Sequence, residues 1–278
     1  MSQPLSGRTM IMSGGSRGIG LAIGIAAGRL GANVVLLAKT DTPDPRLPGT
    51  IHTAAAEIEQ AGGTALAVVG DVRDEASVQN AVDRAVERFG GIDICVNNAS
   101  ALALQGTEDL SVKKFDLMQA IQLRGTFLLT RASLPHLRQS SNPHVLTLSP
   151  PLNLSPKWLG AHPAYTLAKY GMSLLALGWA AEYADAGVAS NTLWPESIIA
   201  TAAVANLLGG EDSMNKARGP EIMADAAMQI VTRPAKECTG NSFIDVDVLR
   251  EAGITDLSQY GGGGEIIYDL YVDPPAQG

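Results

Sequence analysis

Residues 8–40 read RTMIMSGGSRGIGLAIGIAAGRLGANVVLLAKT: an apolar run, a glycine-rich turn, a segment of helical composition and a second apolar run. Gly14, Gly18 and Gly20 are spaced G-x-x-x-G-x-G. Glycine permits a tight turn and lets backbone N–H groups approach a pyrophosphate at the positive end of the helix that follows. A glycine triplet alone says little, but one set between a strand and a helix reads as a dinucleotide site. When the cofactor is NAD, an acid at the end of the second strand usually takes the adenosine ribose. Here that strand ends in Ala38 and Lys39, and the turn itself contains Arg17. Two cations suit a 2′-phosphate, so NADP is favoured over NAD, with Asp41 close by weighing against it.

The alternation continues along the chain. TALAVVG, IDICVNN, HVLTLS and VASNTLW are further strand-like runs, with segments of helical period between them. In DEASVQNAVDRAVERFGG the apolar positions Ala76, Val78, Ala81, Val82, Ala85, Val86 and Phe89 repeat near i, i+3, i+4, and Gly90-Gly91 supplies the stop. This pattern predicts an α/β fold: a doubly wound parallel sheet with helices on both faces, one domain over residues 1–245. Residues 246–278 form a C-terminal extension that packs on the domain or reaches a neighbouring subunit. Within it a glycine run leads into EIIYDLYVD (265–273), which alternates like an edge or surface strand.

Composition narrows the function. The 278 residues are 46% hydrophobic and carry a net charge of −8, which argues against nucleic-acid binding. No stretch approaches the ~20 apolar residues of a membrane span. The N-terminus shows no signal peptide, and Cys95 and Cys238 suggest buried thiols in a reducing, cytoplasmic setting. His52, His136, His144 and His162 have no ligand spacing, so no metal is expected.

Tyr165 and Lys169 are four apart and share a helix face. A free phenol titrates near ~10 and is a poor base at neutral pH. A neighbouring ammonium stabilises phenolate and brings its pKa toward the working range. The pair is therefore a candidate general acid/base.

SGGSRGIG at Ser13–Gly20, GDV at Gly70–Val72, NNAS at Asn97–Ser100 and Tyr165-x-x-x-Lys169 together resemble the short-chain dehydrogenase/reductase family. The proline-rich DTPDPRLPG, SPPLNLSP and LWP are similar to its hydroxysteroid dehydrogenase-like branch, some members of which add a sterol-carrier-like domain beyond the end of this chain. The resemblance implies a Rossmann fold, a dinucleotide cofactor, and a homodimer or homotetramer built on the helices carrying Tyr165 and Gln122. It implies cofactor contacts from Ser13, Gly14, Ser16, Arg17, Gly18, Ile19, Gly20 and Lys39, and adenine contacts from Asp71 and Val72. Asn97 and Ala99 would line the floor, Thr201 would sit near the carboxamide or pyrophosphate, and Pro195 and Ile198 would also contact the cofactor. Tyr165 would be the acid/base, with Lys169 holding the ribose and lowering its pKa.

Three positions depart from the family pattern. Pro150 follows Ser149 where a second serine is usual, and family spacing back from Tyr165 lands near Leu152. Ser149, Asn153 or Ser155 would then serve the oxyanion, or these groups merely cap the turn; Ser149 is favoured. Gln122 stands where an asparagine usually supports a water chain from the lysine, and Glu196 follows Pro195 where glycine is common. TAAVANLLGGEDSMNKARGP (201–220) occupies the substrate-lid position, with Gly209-Gly210 as a hinge. Trp158, Leu159, Trp194, Leu207 and Leu208 line an apolar, lipid-like substrate pocket or belong to the core. Two functions follow: an NADP-dependent oxidoreductase acting on a small-molecule carbonyl or alcohol, or a dinucleotide-binding sensor whose chemistry has weakened.

Overall fold

A computed structural model describes residues 3–44, 49–202, 204–205, 214–263 and 265–274. Seven strands form one sheet: β1 (Thr9–Ser13), β2 (Asn33–Ala38), β3 (Thr64–Val69), β4 (Ile94–Asn97), β5 (His144–Thr147), β6 (Ala189–Trp194) and β7 (Ser242–Ile244). Their order is β3-β2-β1-β4-β5-β6-β7, and every pairing is parallel. This is the doubly wound sheet expected from the alternation. β7 is too short, at three residues, to show a periodicity in the sequence.

Successive side chains of a strand face opposite ways, and here both ways are apolar. Met10 and Met12 of β1 face a layer containing α1 (Gly18–Arg29), α2 (Ile51–Gln60), α8 (Glu221–Val231) and α9 (Asp245–Glu251). Ile11 faces the other layer, with α3 (Glu75–Phe89), α5 (Gly125–Leu137) and α7 (Pro163–Glu182). α3 ends where the glycine pair predicts, its last turn closed by Gly90 at φ 85°. Val246, Val248 and Leu249 of α9 are fully buried in the first layer.

Two short helices complete the site side of the molecule, α4 (Val112–Met118) and α6 (Pro156–Ala161). Between α4 and α5 the chain makes a π-helical turn, Gln119–Arg124. Widened turns of this kind recur at functional sites, since one extra residue re-aims the side chains around it. The strand order reverses direction between β1 and β4, so their carboxyl ends leave a crevice there. EIIYDLYVD does not form a strand. It crosses the loop after β6 through a single antiparallel bridge, Ser197 to Tyr268. Among the described residues no helix is long and apolar enough to cross a membrane, and no group of His, Cys, Asp and Glu could hold a metal ion.

Candidate active site

The crevice is a cleft of about 800 Å³. Its floor is the turn between β1 and α1. The Gly14 N–H donates to the Leu37 carbonyl at 3.0 Å, tying the turn to β2. A Cβ on Gly20 would lie 2.5 Å from Asn98 Nδ2 and 2.6 Å from the Gly14 oxygen, so only glycine fits. The first turn of α1 has no side-chain cap. Its free N–H groups and the positive helix end therefore face the cleft as an anion site. That cradle fits the pyrophosphate of a dinucleotide.

Most predicted cofactor residues meet here: Gly14, Ser16, Arg17, Gly18, Ile19 and Gly20 from the turn, then Lys39, Asp71, Val72, Ala99 and Thr201. Ser13 and Asn97 do not line the cleft. The Ser13 hydroxyl accepts from the Asn98 and Ala99 N–H groups, each at 3.2 Å, and ties β1 to β4. Asn97 is fully buried and donates to the Thr130 hydroxyl at 2.9 Å, so it braces the sheet beneath the floor. The neighbour that sequence reasoning passed over is Asn98, whose amide donates to the Gly14 oxygen at 2.8 Å. Alternation along the end of β4 was the available signal, since one of two adjacent asparagines must face inward. Pro195 and Ile198 are buried outside the cleft lining, and the Ile198 N–H donates to Ile267 O at 2.9 Å.

Arg17 and Lys39 converge at the end of β2. Arg17 reaches the Thr40 hydroxyl at 3.0 Å and the Gly49 carbonyl at 3.3 Å. Lys39 lies 3.5 Å from Asp71, whose carboxyl Arg73 holds down to about 2. Asp41, which weighed against a 2′-phosphate, is instead paired with His52 at 2.7 Å.

Tyr165 and Lys169 rise from the first turns of α7, and both are buried. The Lys169 ammonium donates to Leu148 O at 2.9 Å and stands 5.1 Å over the Trp194 ring. Burial lowers its pKa to about 8, opposed by the charge of Asp269. The expected fall in the Tyr165 pKa is not met. Burial pushes it well above the ordinary phenol value, and the Asp269 and Tyr271 charges push the same way. Only the Ser100 hydroxyl, at the cleft wall, acts in the opposite sense.

The loop after β5 is pinned to α7: Ser173 donates to Pro150 O at 2.6 Å and Tyr170 to Asn153 O at 2.6 Å. Of the oxyanion candidates, Asn153 is committed elsewhere, donating to Asp273 at 2.7 Å. Ser149, next to the Leu148 carbonyl that anchors Lys169, is fully buried with its hydroxyl unpartnered. The Ser155 hydroxyl is also unpartnered, at the head of α6. Gln122 lies in the π-helical turn with no exposure, and neither amide atom has a partner.

The apolar pocket is only partly as expected. Trp158 and Trp194 are buried against Tyr271, with ring centroids at 5.7 and 6.2 Å, so they belong to an aromatic core, while Leu159 is exposed. Leu207, Leu208 and the Gly209-Gly210 hinge lie outside the described residues.

A glycine turn on a helix without a side-chain cap and a crevice at the sheet's reversal define a dinucleotide-binding class of α/β protein, with Tyr165 and Lys169 buried on α7 outside the residues that line the cleft. Residues 8–211 match the family model for short chain dehydrogenase. The chain belongs to that family, which implies a nicotinamide dinucleotide cofactor. It is 52% identical to hydroxysteroid dehydrogenase-like protein 2 of Danio rerio over 97% of its length and 65% of the relative's. For the Homo sapiens protein of that name the figures are 49%, 97% and 64%, so the chain spans somewhat under two thirds of these relatives. A solved short chain dehydrogenase of Mycobacterium thermoresistibile superposes with a TM-score of 0.92 at 55% identity, covering 98% of each chain. A Xanthomonas campestris structure does so at 0.94 and 52%, over 99% of this chain and 100% of that one.

Proposed function

We propose that this protein is an NADP(H)-dependent oxidoreductase that interconverts a carbonyl and a secondary alcohol, with Tyr165 as general acid/base. The observation that carries this is the buried Tyr165–Lys169 pair, its phenol beside Ser100 at the cleft wall. Arg17 and Lys39 favour a 2′-phosphate, and Asp41, the acid that weighs against it, is engaged by His52 at 2.7 Å.

NADP would be held by the turn carrying Gly14, Gly18 and Gly20 with Arg17 and Lys39 at the adenosine end, and would supply the hydride acceptor or donor. Tyr165 holds the proton that passes to or from the substrate oxygen. Lys169, fixed by Leu148 O, remains an ammonium below about pH 8 and would hold the ribose. Ser149 donates to the substrate oxygen, and Gln122 holds water between Lys169 and solvent. The relatives' printed name supports an apolar substrate, lipid-, steroid- or acyl-like. A cytoplasmic homodimer or homotetramer fits exposed Phe127 on α5 and exposed Leu167 and Leu174 on α7.

Pro150 where a second serine is usual and Gln122 where an asparagine is usual support a second reading, a cofactor-binding sensor. An NADPH-oxidation screen of apolar ketones and aldehydes separates the two. The enzyme reading expects turnover that Tyr165→Phe lowers by about 10²–10⁴-fold; full turnover in that variant would contradict it.

A further inference from the structure

The C-terminal arm brings an acid to the Tyr-Lys pair. Beside the Ser197–Tyr268 bridge, the Ile198 N–H donates to Ile267 O and the Asp269 N–H to Glu196 O, both at 2.9 Å. The Trp194 indole N–H donates to Leu270 O at 2.8 Å, and this is the ring over which the Lys169 ammonium stands. Tyr271 then turns back onto α7. Its hydroxyl lies 3.0 Å from the Thr166 hydroxyl, and its ring packs 5.1 Å from Tyr170. Asp269 is thus held between two anchors, one on the ring below Lys169 and one on the residue after Tyr165. Farther along, Asp273 accepts from Asn153 at 2.7 Å and from the Trp158 indole at 3.1 Å.

Tyr271 is the only described non-glycine residue with positive φ, at 71°. A bulky side chain persists there only where its surroundings over-determine the backbone. The docking is therefore specific.

We propose that Asp269 is a positioning residue of the Tyr165–Lys169 pair, its carboxylate keeping Lys169 an ammonium and Tyr165 a phenol. This rests on the acid/base reading above. A negative charge favours a nearby cation and opposes a nearby anion, and Asp269 does raise both partners. Burial lifts its own pKa to about 7, with Lys169 opposing and the like charge of Asp245, at the head of α9, adding. The titratable groups facing it are Tyr165 and Lys169 on α7, Asp245 on α9 and Tyr271 on the arm. Above about pH 7 Asp269 is charged, so it restrains phenolate formation in the range where Tyr165 titrates.

The test is a tyrosinate absorbance titration of the full chain with NADP⁺ added, taking wild type minus Tyr165→Phe as the Tyr165 signal. Asp269→Asn keeps the acceptor for the Leu270 N–H and removes the charge, and Asp269→Ser does so in less volume. Both should move the Tyr165 midpoint down by about one pH unit. Asp273→Asn loosens the distal clamp without altering charge at the pair and should leave the midpoint in place. A Tyr165 phase that Asp269→Asn and Asp269→Ser leave unmoved, or that Asp273→Asn moves equally, overturns the assignment alone. No Tyr165 phase in wild type or in either Asp269 variant overturns the acid/base reading, and the role of Asp269 with it.

Discussion

Arg17 and Lys39 act on one end of the cleft, and Ser149 and Lys169 on the other. At the adenosine end, charge-assisted hydrogen bonds to a phosphate contribute about 1.5–3 kcal/mol each. Replacing Arg17 by Ala should therefore weaken NADPH binding by about 10–100-fold while leaving NADH binding nearly unchanged, as calorimetry would show. Equal losses for both cofactors would count against a 2′-phosphate contact. At the chemical end, Ser149→Ala should lower turnover by about 10²–10³-fold, the usual effect of losing one oxyanion donor. If Ser155→Ala has that effect and Ser149→Ala does not, the donor is the serine heading α6. Lys169 sets an upper pH limit: its charge is present below about pH 8 and lost above it, so turnover should decline through that range. A rate that holds steady to pH 10 would contradict this.

Among the elements, the β1–turn–α1 unit was legible because three glycines in a strand-to-helix context leave few alternatives. Gly20→Ala should abolish detectable NADP binding, since its Cβ would strike Asn98 and the Gly14 carbonyl. Retained binding would mean the turn can open. α3 was legible for a similar reason, its apolar face and glycine stop being local. The arm was not. EIIYDLYVD alternates like a strand, yet its partners are the loop after β6, the Trp158 and Trp194 rings and Asn153, all distant in sequence. The π-helical turn around Gln122 was hidden too, because nothing in QAIQLRGTF marks the extra residue. Of the site residues, Ser13 and Asn97 sit behind the cleft because the pleat, not the motif, decides which side chain faces in.

For the whole molecule, pH acts through two buried groups, His144 at the start of β5 and Asp269 on the arm. His144 has a folded pKa of about 4, lowered by burial from 6.5. Between those values the unfolded chain binds the proton and the native protein does not, so its stabilising effect is lost as pH falls from 6.5 through 4. The difference amounts to about 3 kcal/mol. Thermal melts at pH 7 and pH 4.5 should show a smaller acid loss for His144→Gln than for wild type. Identical losses would place acid sensitivity elsewhere. Asp269 works the other way: burial raises its pKa from 3.8 to about 7, so its effect on stability turns unfavourable as pH rises from 3.8 through 7. A charge held at that cost beside the Tyr-Lys pair is what a site selected for chemistry rather than stability would show.

The most direct measurement is the ionisation of Tyr165 with and without NADP⁺, read as tyrosinate absorbance in wild type minus Tyr165→Phe. Without cofactor the phenol should titrate above the ordinary range, as its burial dictates. NADP⁺ should bring it down by one pH unit or more, because a cation placed near a buried phenol favours phenolate. A Tyr165 midpoint indifferent to NADP⁺ would contradict the acid/base role and leave a protein that binds the dinucleotide without using it.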